Sequence, residues 1–358
     1  MISLPLRDPF EVPAHSSSAR DQGRAGRAPK SRAVQRARYT PSLHWPLWEE
    51  AAARLERGDR FCSSPHWGLA LAEAFHSRGE LYVYSRGPHL AVFHEFDVEG
   101  GRLVMPCDTM WCLGSPLMSP EPGEFLREIC LSWEGQGEGV RQITVGGLYA
   151  DNPLWQHPLW QVLPNWEVTE SGRQVASLEG GLDGFMSRRS VNFRSRLRRA
   201  VKKWESEGLQ VEYWPHTADA ETTLRLHERA MKVERQSWKG LAGQGVDRGQ
   251  MRTFYQRMLP SLAAHGRLRG LFLTRDGQDM SYLFGASFAG YFRGLQFSYL
   301  ESESDSLGNV GQWKMIESLV AEGCGAYDLG QAMAYKDRWA EIRLASPARA
   351  FQLGYPAN

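Results

Sequence analysis

The chain has 358 residues, 42 Lys plus Arg against 41 Asp plus Glu for a formal charge of +1, and 42% hydrophobic content. That length suggests two domains, and the balanced charge lacks the basic footprint of a general nucleic-acid binder. No apolar run reaches the ~20 residues of a bilayer span, no secretory h-region opens the chain, and Cys62, Cys107, Cys112, Cys130 and Cys324 form no CxxC pair. The expectation is a cytoplasmic protein with no membrane span, no disulfide framework and no metal.

Residues 1–40 are rich in Arg, Ser, Ala and Pro and poor in large apolar side chains, the composition of a disordered tail. From Phe61 the pattern is structured. Ser64 as N-cap and Pro65 at the first helical position precede Trp67, Leu71, Ala74 and Phe75 on one helical face. Three strand-like runs follow, Leu81 to Arg86, Leu90 to Phe96 and Arg102 to Cys107, parted by Gly87-Pro88 and by the turn Asp97 to Gly101. The stretch Asp151 to Glu170, rich in Trp, Pro and Gln, reads as an irregular connection, with a boundary near 165–180.

The second half repeats the pattern. A helix from Met251 to Ala264 leads into strands Arg269 to Thr274, Ser281 to Phe288 and Tyr291 to Tyr299, with turns at Asp276-Gly277 and Ala289-Gly290. A helix beginning near Gly311 and a short strand around Ala326 to Leu329 complete it. Tight turns between consecutive strands disfavour a purely parallel sheet. The fold class is mixed α/β with largely antiparallel sheets, two copies of a helix, meander and helix module.

Four features can carry chemistry. Ser306-Leu307-Gly308-Asn309-Val310-Gly311-Gln312 places small residues before a helix, where free amides and the helix dipole suit a phosphate; a plain glycine-rich cap is the alternative. The run over residues 188–204 holds Arg188, Arg189, Arg194, Arg196, Arg198, Arg199, Lys202 and Lys203 without an acid, while Phe193, Leu197, Ala200, Val201 and Trp204 share a face. This basic helix fits either a solvated surface or a polyanion contact. His227, Met231 and Glu234 recur at helical spacing ahead of Trp238, Lys239 and the loop Gly240 to Gly245. There Glu234 is a candidate general base if buried and plain solvation if exposed. Asp328, leaving a short strand, and Lys336, beside Tyr335, form a candidate ion pair. No P-loop or Rossmann fingerprint is present.

With these pieces in order, the sequence resembles GNAT-fold acyltransferases of the FemAB-like group, within it the CelD/BcsL-like (cellulose-biosynthesis type) acetyltransferase branch. The stretches carrying the resemblance are Asn192 to Ala200, Glu234-Arg235-Gln236-Ser237-Trp238-Lys239-Gly240, and Tyr327-Asp328-Leu329-Gly330 with Tyr335-Lys336 and Trp339. The resemblance implies tandem GNAT-like domains, one over residues 41–170 and a second, carrying the acyl-donor site, over 171–358. It implies acyl transfer from acetyl-CoA or another acyl-CoA to an amine or hydroxyl of a small molecule, sugar or peptide. On it, Glu234, Asp328 and Lys336 are expected to be catalytic, Gly308, Asn309, Val310, Gly311 and Gln312 to meet the donor phosphates, and Trp238, Lys239 and Tyr335 to meet substrate. The segment 306–311 departs from the usual GNAT donor loop, Arg/Gln-x-x-Gly-x-Gly/Ala. Aminoacyl-tRNA, the donor of Fem-type relatives, therefore stays as an alternative that the basic helix suits. A non-catalytic protein holding a polyanion or polysaccharide is the reading from another class.

Overall fold

A computed structural model describes residues 33–76, 78–99, 101–135, 139–301 and 305–353. Residues 1–32 of the expected tail lie outside the described residues. Its last part is not unstructured: β1 (Gln35–Arg38) pairs antiparallel with β2 (Glu80–Arg86), and Arg36 reaches the buried Glu95 at 2.6 Å. Helix α1 (Pro41–Ala53), also unanticipated, buries His44, Trp48, Ala51 and Ala52.

The first module then runs α2 (Pro65–Phe75), β2 (Glu80–Arg86), β3 (His89–Val98), β4 (Gly101–Met105), the short β5 (Leu117–Met118), α3 (Pro122–Gly135) and β6 (Val140–Val145). Ser64 sits at the N-cap of α2 but makes no side-chain capping bond. Strands β2, β3 and β4 form the expected antiparallel meander, and β6 returns parallel to β4 after the α3 crossover. A 3-10 turn over Pro153–Gln156 and the single turn α4 (Leu159–Val162) lead into β7 (Asn165–Ser177). Most of Asp151 to Glu170 is thus irregular, as read, but its end is strand.

The second module follows with α5 (Gly181–Ser187), the basic α6 (Val191–Ser206), β8 (Gln210–Tyr213), α7 (Ala220–Arg235), α8 (Trp238–Leu241), α9 (Gly249–Ala264), β9 (Leu268–Arg275), β10 (Gln278–Phe288), β11 (Tyr291–Tyr299), α10 (Asp305–Ala321), β12 (Ala326–Gln331) and β13 (Ile342–Gln352). Both tight turns have two successive residues at positive φ, Asp276 (51°) with Gly277 (76°) and Ala289 (48°) with Gly290 (86°). That conformation matches the twist of the flanking strands, so β9, β10 and β11 form a second meander. Strand β12 then lies parallel to β11. The modules share element order and the parallel return, and they join into one sheet in the order β1-β2-β3-β4-β6-β13-β7-β12-β11-β10-β9-β8.

The centre of that sheet is an exchange. Strand β7, which follows the first module, pairs with β12 of the second; β13, at the end of the second, pairs with β6 of the first; and β7 and β13 pair with each other from Ile342↔Val175 to Phe351↔Asn165. One apolar core, including Phe254, Met258, Leu271, Phe284 and Ile316, fills the second module and continues into the first through Trp67, Leu71, Val83 and Val92, and a smaller one gathers around Phe93, Phe125, Ile129, Trp133 and Ile143 of the first.

Candidate active site

Strands β11 and β12 pair over only three positions, Tyr291↔Ala326 to Arg293↔Asp328, although β11 continues to Tyr299. Beyond Arg293 the two diverge, and burial falls from complete at Tyr291, Phe292 and Arg293 to partial from Gly294 to Phe297. A bulge accompanies the divergence: Phe284 faces Gln296 while Gly285 faces Gly294, so Leu295 is the extra residue. The lip of β11 facing the opening therefore carries backbone polar groups that β12 leaves unpaired. Gly294 sits at the apex, where a Cβ would come within 2.9 Å of the Tyr327 ring.

On the β11 lip lies Glu234, the penultimate residue of α7, fully buried. Its Oε2 accepts from Tyr282 Oη at 2.9 Å, while Oε1 accepts from the Val246 amide at 3.3 Å and faces Lys239 Nζ at 3.5 Å. Lys239 also donates to Phe297 O at 3.0 Å and Gln296 Oε1 at 3.3 Å, and Gln296 in turn donates to Tyr255 Oη. Burial lowers the Lys239 pKa, opposed by Glu234. Ser237 caps α8, and Gly240 is required there because a Cβ would fall 2.1 Å from Glu234 O. Burial of Glu234 is thus what the helical spacing left open, and the carboxylate reaches the cleft by way of Lys239.

On the β12 lip, the expected Asp328–Lys336 ion pair is not formed. The fully buried Asp328 is instead clamped by two arginines, with Oδ2 2.5 Å from Arg293 and 2.9 Å from Arg173, and its Oδ1 accepts from the Gly330 amide at 2.7 Å. A short bond joins Arg173 to Asp59, a residue of the first module. Lys336, in a 3-10 turn after β12, points back beneath the strand end and donates to Gln331 O at 2.8 Å. Burial, then Arg293, lowers its pKa to about 8; Asp328 opposes this and Lys239 adds to it. Lys336 is a desolvated amine with no carboxylate partner among the described residues, and it shares the cleft's field with Lys239. Trp238 and Tyr335, each next to one of these lysines, are exposed.

Helix α10 starts at Asp305, not near Gly311. Its first turn holds the helical amides without an upstream carbonyl, those of residues 305–307, and none of the five expected phosphate contacts falls there, because Gly308 is the fourth helical residue, whose amide closes the first intrahelical bond. The amides of Asn309, Val310, Gly311 and Gln312 belong to the helical ladder. Gly308 permits close packing, since a Cβ would meet the Phe297 ring at 2.8 Å and Tyr299 at 3.1 Å. Val310 is core, and Gln312 is buried and accepts from Tyr327 Oη. Against α10 lies α6, whose Trp204 Nε1 donates to Ser306 Oγ at 3.1 Å. Phe193, Leu197, Ala200 and Trp204 bury one face of α6, and the side chains of Arg194, Arg196, Arg198, Arg199 and Lys202 meet no carboxylate among the described residues.

Asp59, Arg173, Arg293, Tyr282 and Gln296 were not anticipated. A signal existed for two of them: Arg173 and Arg293 are charges in mid-strand next to residues reading as buried, a placement that demands a partner.

A divergent parallel strand pair, a bulge on the first strand and a helix start beyond it define a GNAT-like fold of mixed α/β class. Residues 191–337 match the family model described as an acetyltransferase (GNAT) domain. Among solved structures, FemX is similar at 12% identity and a TM-score of 0.63, covering 87% of this chain and 96% of FemX. A conserved protein of unknown function from Bacteroides thetaiotaomicron is similar at 10% identity and 0.59, covering 89% and 99%. The C-terminal domain of a putative lysylphosphatidylglycerol synthetase from Agrobacterium fabrum is similar at 10% and 0.54, covering 88% and 93%. No curated protein matches the sequence.

Proposed function

We propose that the protein is an acyltransferase that moves an acyl group from acyl-CoA to an amine or hydroxyl, the finer placement being the FemAB-like, CelD/BcsL-like branch. The observation that carries this reading is the cleft where β11 and β12 part after Arg293↔Asp328, with desolvated Lys239 and Lys336 on its two lips. The acyl chain would lie along the unpaired lip of β11, its carbonyl against the free backbone groups around Leu295. The donor phosphates would meet the first turn of α10 at the amides of residues 305–307, with α6 beside it. The five-residue set Gly308 to Gln312 follows that turn on this reading, and Gly308 contributes through its close packing on Phe297.

Transfer would be direct. The acceptor, entering between Trp238 and Tyr335, loses a proton to Lys239 as Lys239 passes one to Glu234, so the carboxylate is the final base. The ammonium of Lys336, held by Gln331 O and set by Asp328 with Arg293, opposes the negative charge that builds on the carbonyl oxygen; as the carbonyl re-forms the thioester C–S bond breaks, and coenzyme A leaves as a thiolate that takes back the proton held by Lys239 and Glu234. The division into units over 41–170 and 171–358, and a cytoplasmic location in which the buried free cysteines stay reduced, belong to the same proposal.

A second reading is supported by α6. Five unpaired cations in three helical turns exceed what one pyrophosphate requires, and the FemX likeness keeps aminoacyl-tRNA in view as donor. Thermal-shift titration with acetyl-CoA, longer acyl-CoAs, free coenzyme A and a mixed aminoacyl-tRNA pool separates the two. A donor at 100 times its Kd adds about 2.7 kcal/mol to the folded state. Stabilisation by acyl-CoA is the expected result; stabilisation by tRNA alone moves the protein to aminoacyl transfer, and by neither to a non-catalytic binding protein.

A further inference from the structure

Asp59 lies in the loop between α1 and α2, in the first module, yet it is fully buried against the second. It bonds Arg173 of β7, lies 3.4 Å from Arg293 of β11, accepts from Tyr291 Oη at 2.8 Å, and is fixed by the Cys62 amide at 2.9 Å and by its own amide on Gly147 O. Arg173 and Arg293 are the residues that clamp Asp328, and Arg293↔Asp328 is the last pair before the strands part. The apex of the cleft is therefore a four-membered cluster of two arginines and two carboxylates, one of them supplied from the first module.

We propose that Asp59 is a positioning residue of the site in the second module: it holds Arg173 and Arg293 in register on Asp328 and so fixes where β11 and β12 diverge. The first module is on this account a working part of the site, although its own strand pair is not the one that opens beside the lysines. This inference rests on the acyl-transfer reading only in calling the cleft a reaction site.

The charge count makes the role measurable. With Asp59 in place the cluster is neutral, two arginines against Asp59 and Asp328. Burial alone would favour a protonated Asp59, but Arg173 and Arg293 outweigh it and keep the carboxyl below its usual range. Lys336 senses the cluster through Arg293 and Asp328, and otherwise faces Lys239 of α8, the neighbouring Tyr335 ring and Gln331 O. Asp59→Asn leaves two buried arginines on one carboxylate and adds net positive charge near Lys336; Arg173→Met leaves two carboxylates on Arg293 and adds net negative charge. Opposite changes in one cluster must move Lys336 in opposite directions.

The test is competitive trace acetylation of the intact protein with acetic anhydride across neutral and alkaline pH, Lys336 being followed by peptide mass spectrometry. Neither donor nor turnover enters, so its failure is distinct from failure of the acyl-transfer reading. The expected result is a labelling midpoint near 8 in the wild type, lowered in Asp59→Asn by on the order of one pH unit and raised in Arg173→Met. Where Asp59→Asn does not fold, the upward shift in Arg173→Met decides. Variants that fold and lose thermal stability while the midpoint stays put would reduce Asp59 to an ordinary packing residue and overturn the proposal.

Discussion

Replacing Lys336 by Met should make the protein more stable and less active at once. Lys336 is 8% exposed, and its pKa falls from the ordinary 10.5 to about 8, first through burial and then through Arg293. Between those two values the unfolded chain binds a proton that the native chain does not, so native stability gains from this group as pH rises through the interval. The penalty is complete below about 8 and gone above 10.5. At about 1.4 kcal/mol per unit the interval corresponds to roughly 3 kcal/mol. Losing the 2.8 Å bond to Gln331 O returns about 1 kcal/mol of that, and the ε-ammonium leaves a Met-sized apolar chain in its place. Lys336→Met should therefore gain about 2 kcal/mol at neutral pH in urea unfolding, with the gain shrinking as the pH rises, passing through zero before 10.5 and becoming a loss of about 1 kcal/mol above it, where only the missing hydrogen bond remains. Its turnover should fall, and wild-type turnover should decline above about pH 8 as the ammonium is lost. A variant less stable than wild type at neutral pH, or a stability difference that does not change with pH, would refute the reasoning.

Three further perturbations address other parts of the site. Glu234→Gln removes the final proton acceptor; its one oxygen can still accept from the Val246 amide, with the Nε2 donating to Tyr282 Oη where the carboxylate had accepted; turnover should drop by about 100-fold or more with the donor-induced thermal shift retained, and full turnover would remove Glu234 from the chemistry. Gly294→Val places side-chain carbon at the apex, against the Tyr327 ring, and should abolish the thermal shift with acyl-CoA while the far-UV circular dichroism is kept; an undiminished shift would put the donor elsewhere. Reversing Arg198, Arg199 and Lys202 together to Glu, on the exposed face of α6, should weaken RNA binding and flatten its dependence on salt by about 1 in log–log slope per lost phosphate contact, if tRNA is the donor. An unchanged slope in filter binding would leave α6 to acyl-CoA or to solvent.

The two meanders were legible because each couples period-two strands to turns such as Asp276-Gly277, whose chemistry admits few conformations. What escaped the sequence did so for identifiable reasons. Strand β1 is the polar segment Gln35-Arg36-Ala37-Arg38, with no alternation to announce an edge strand, and Pro46 inside α1 argued against a helix there. The first half of β7 is exposed on both faces from Trp166 to Glu170, so the short alternation of Trp166 and Val168 with Glu167 and Thr169 marks no buried face. In α10, glycines at 308 and 311 weakened the helical signal over its first turns; packing against Phe297 overrode propensity. Helical spacing put Glu234 at the end of a helix with Lys239 just beyond it, and the two side chains lie 3.5 Å apart; the lysine beside Tyr335 also lies at the cleft. The partners of Asp328 were invisible, because Arg173 is 155 residues away and Asp59 lies 114 residues from Arg173. Short-range patterns name the residue that needs a counter-charge without saying which strand supplies it.

The exchanged central strands bear on how the protein is made. Strand β6 of the first module, ending at Val145, must wait for β13, which begins only at Ile342. A nascent chain emerging from the ribosome can form the first meander, but it cannot close that module's sheet until the whole second module has followed. Meanwhile β7 is available early and has neither of its neighbours, β12 and β13. Such an order of events exposes an unpaired strand carrying Trp166 and Val168 while the second module is made, and it makes completion of both modules a single cooperative step.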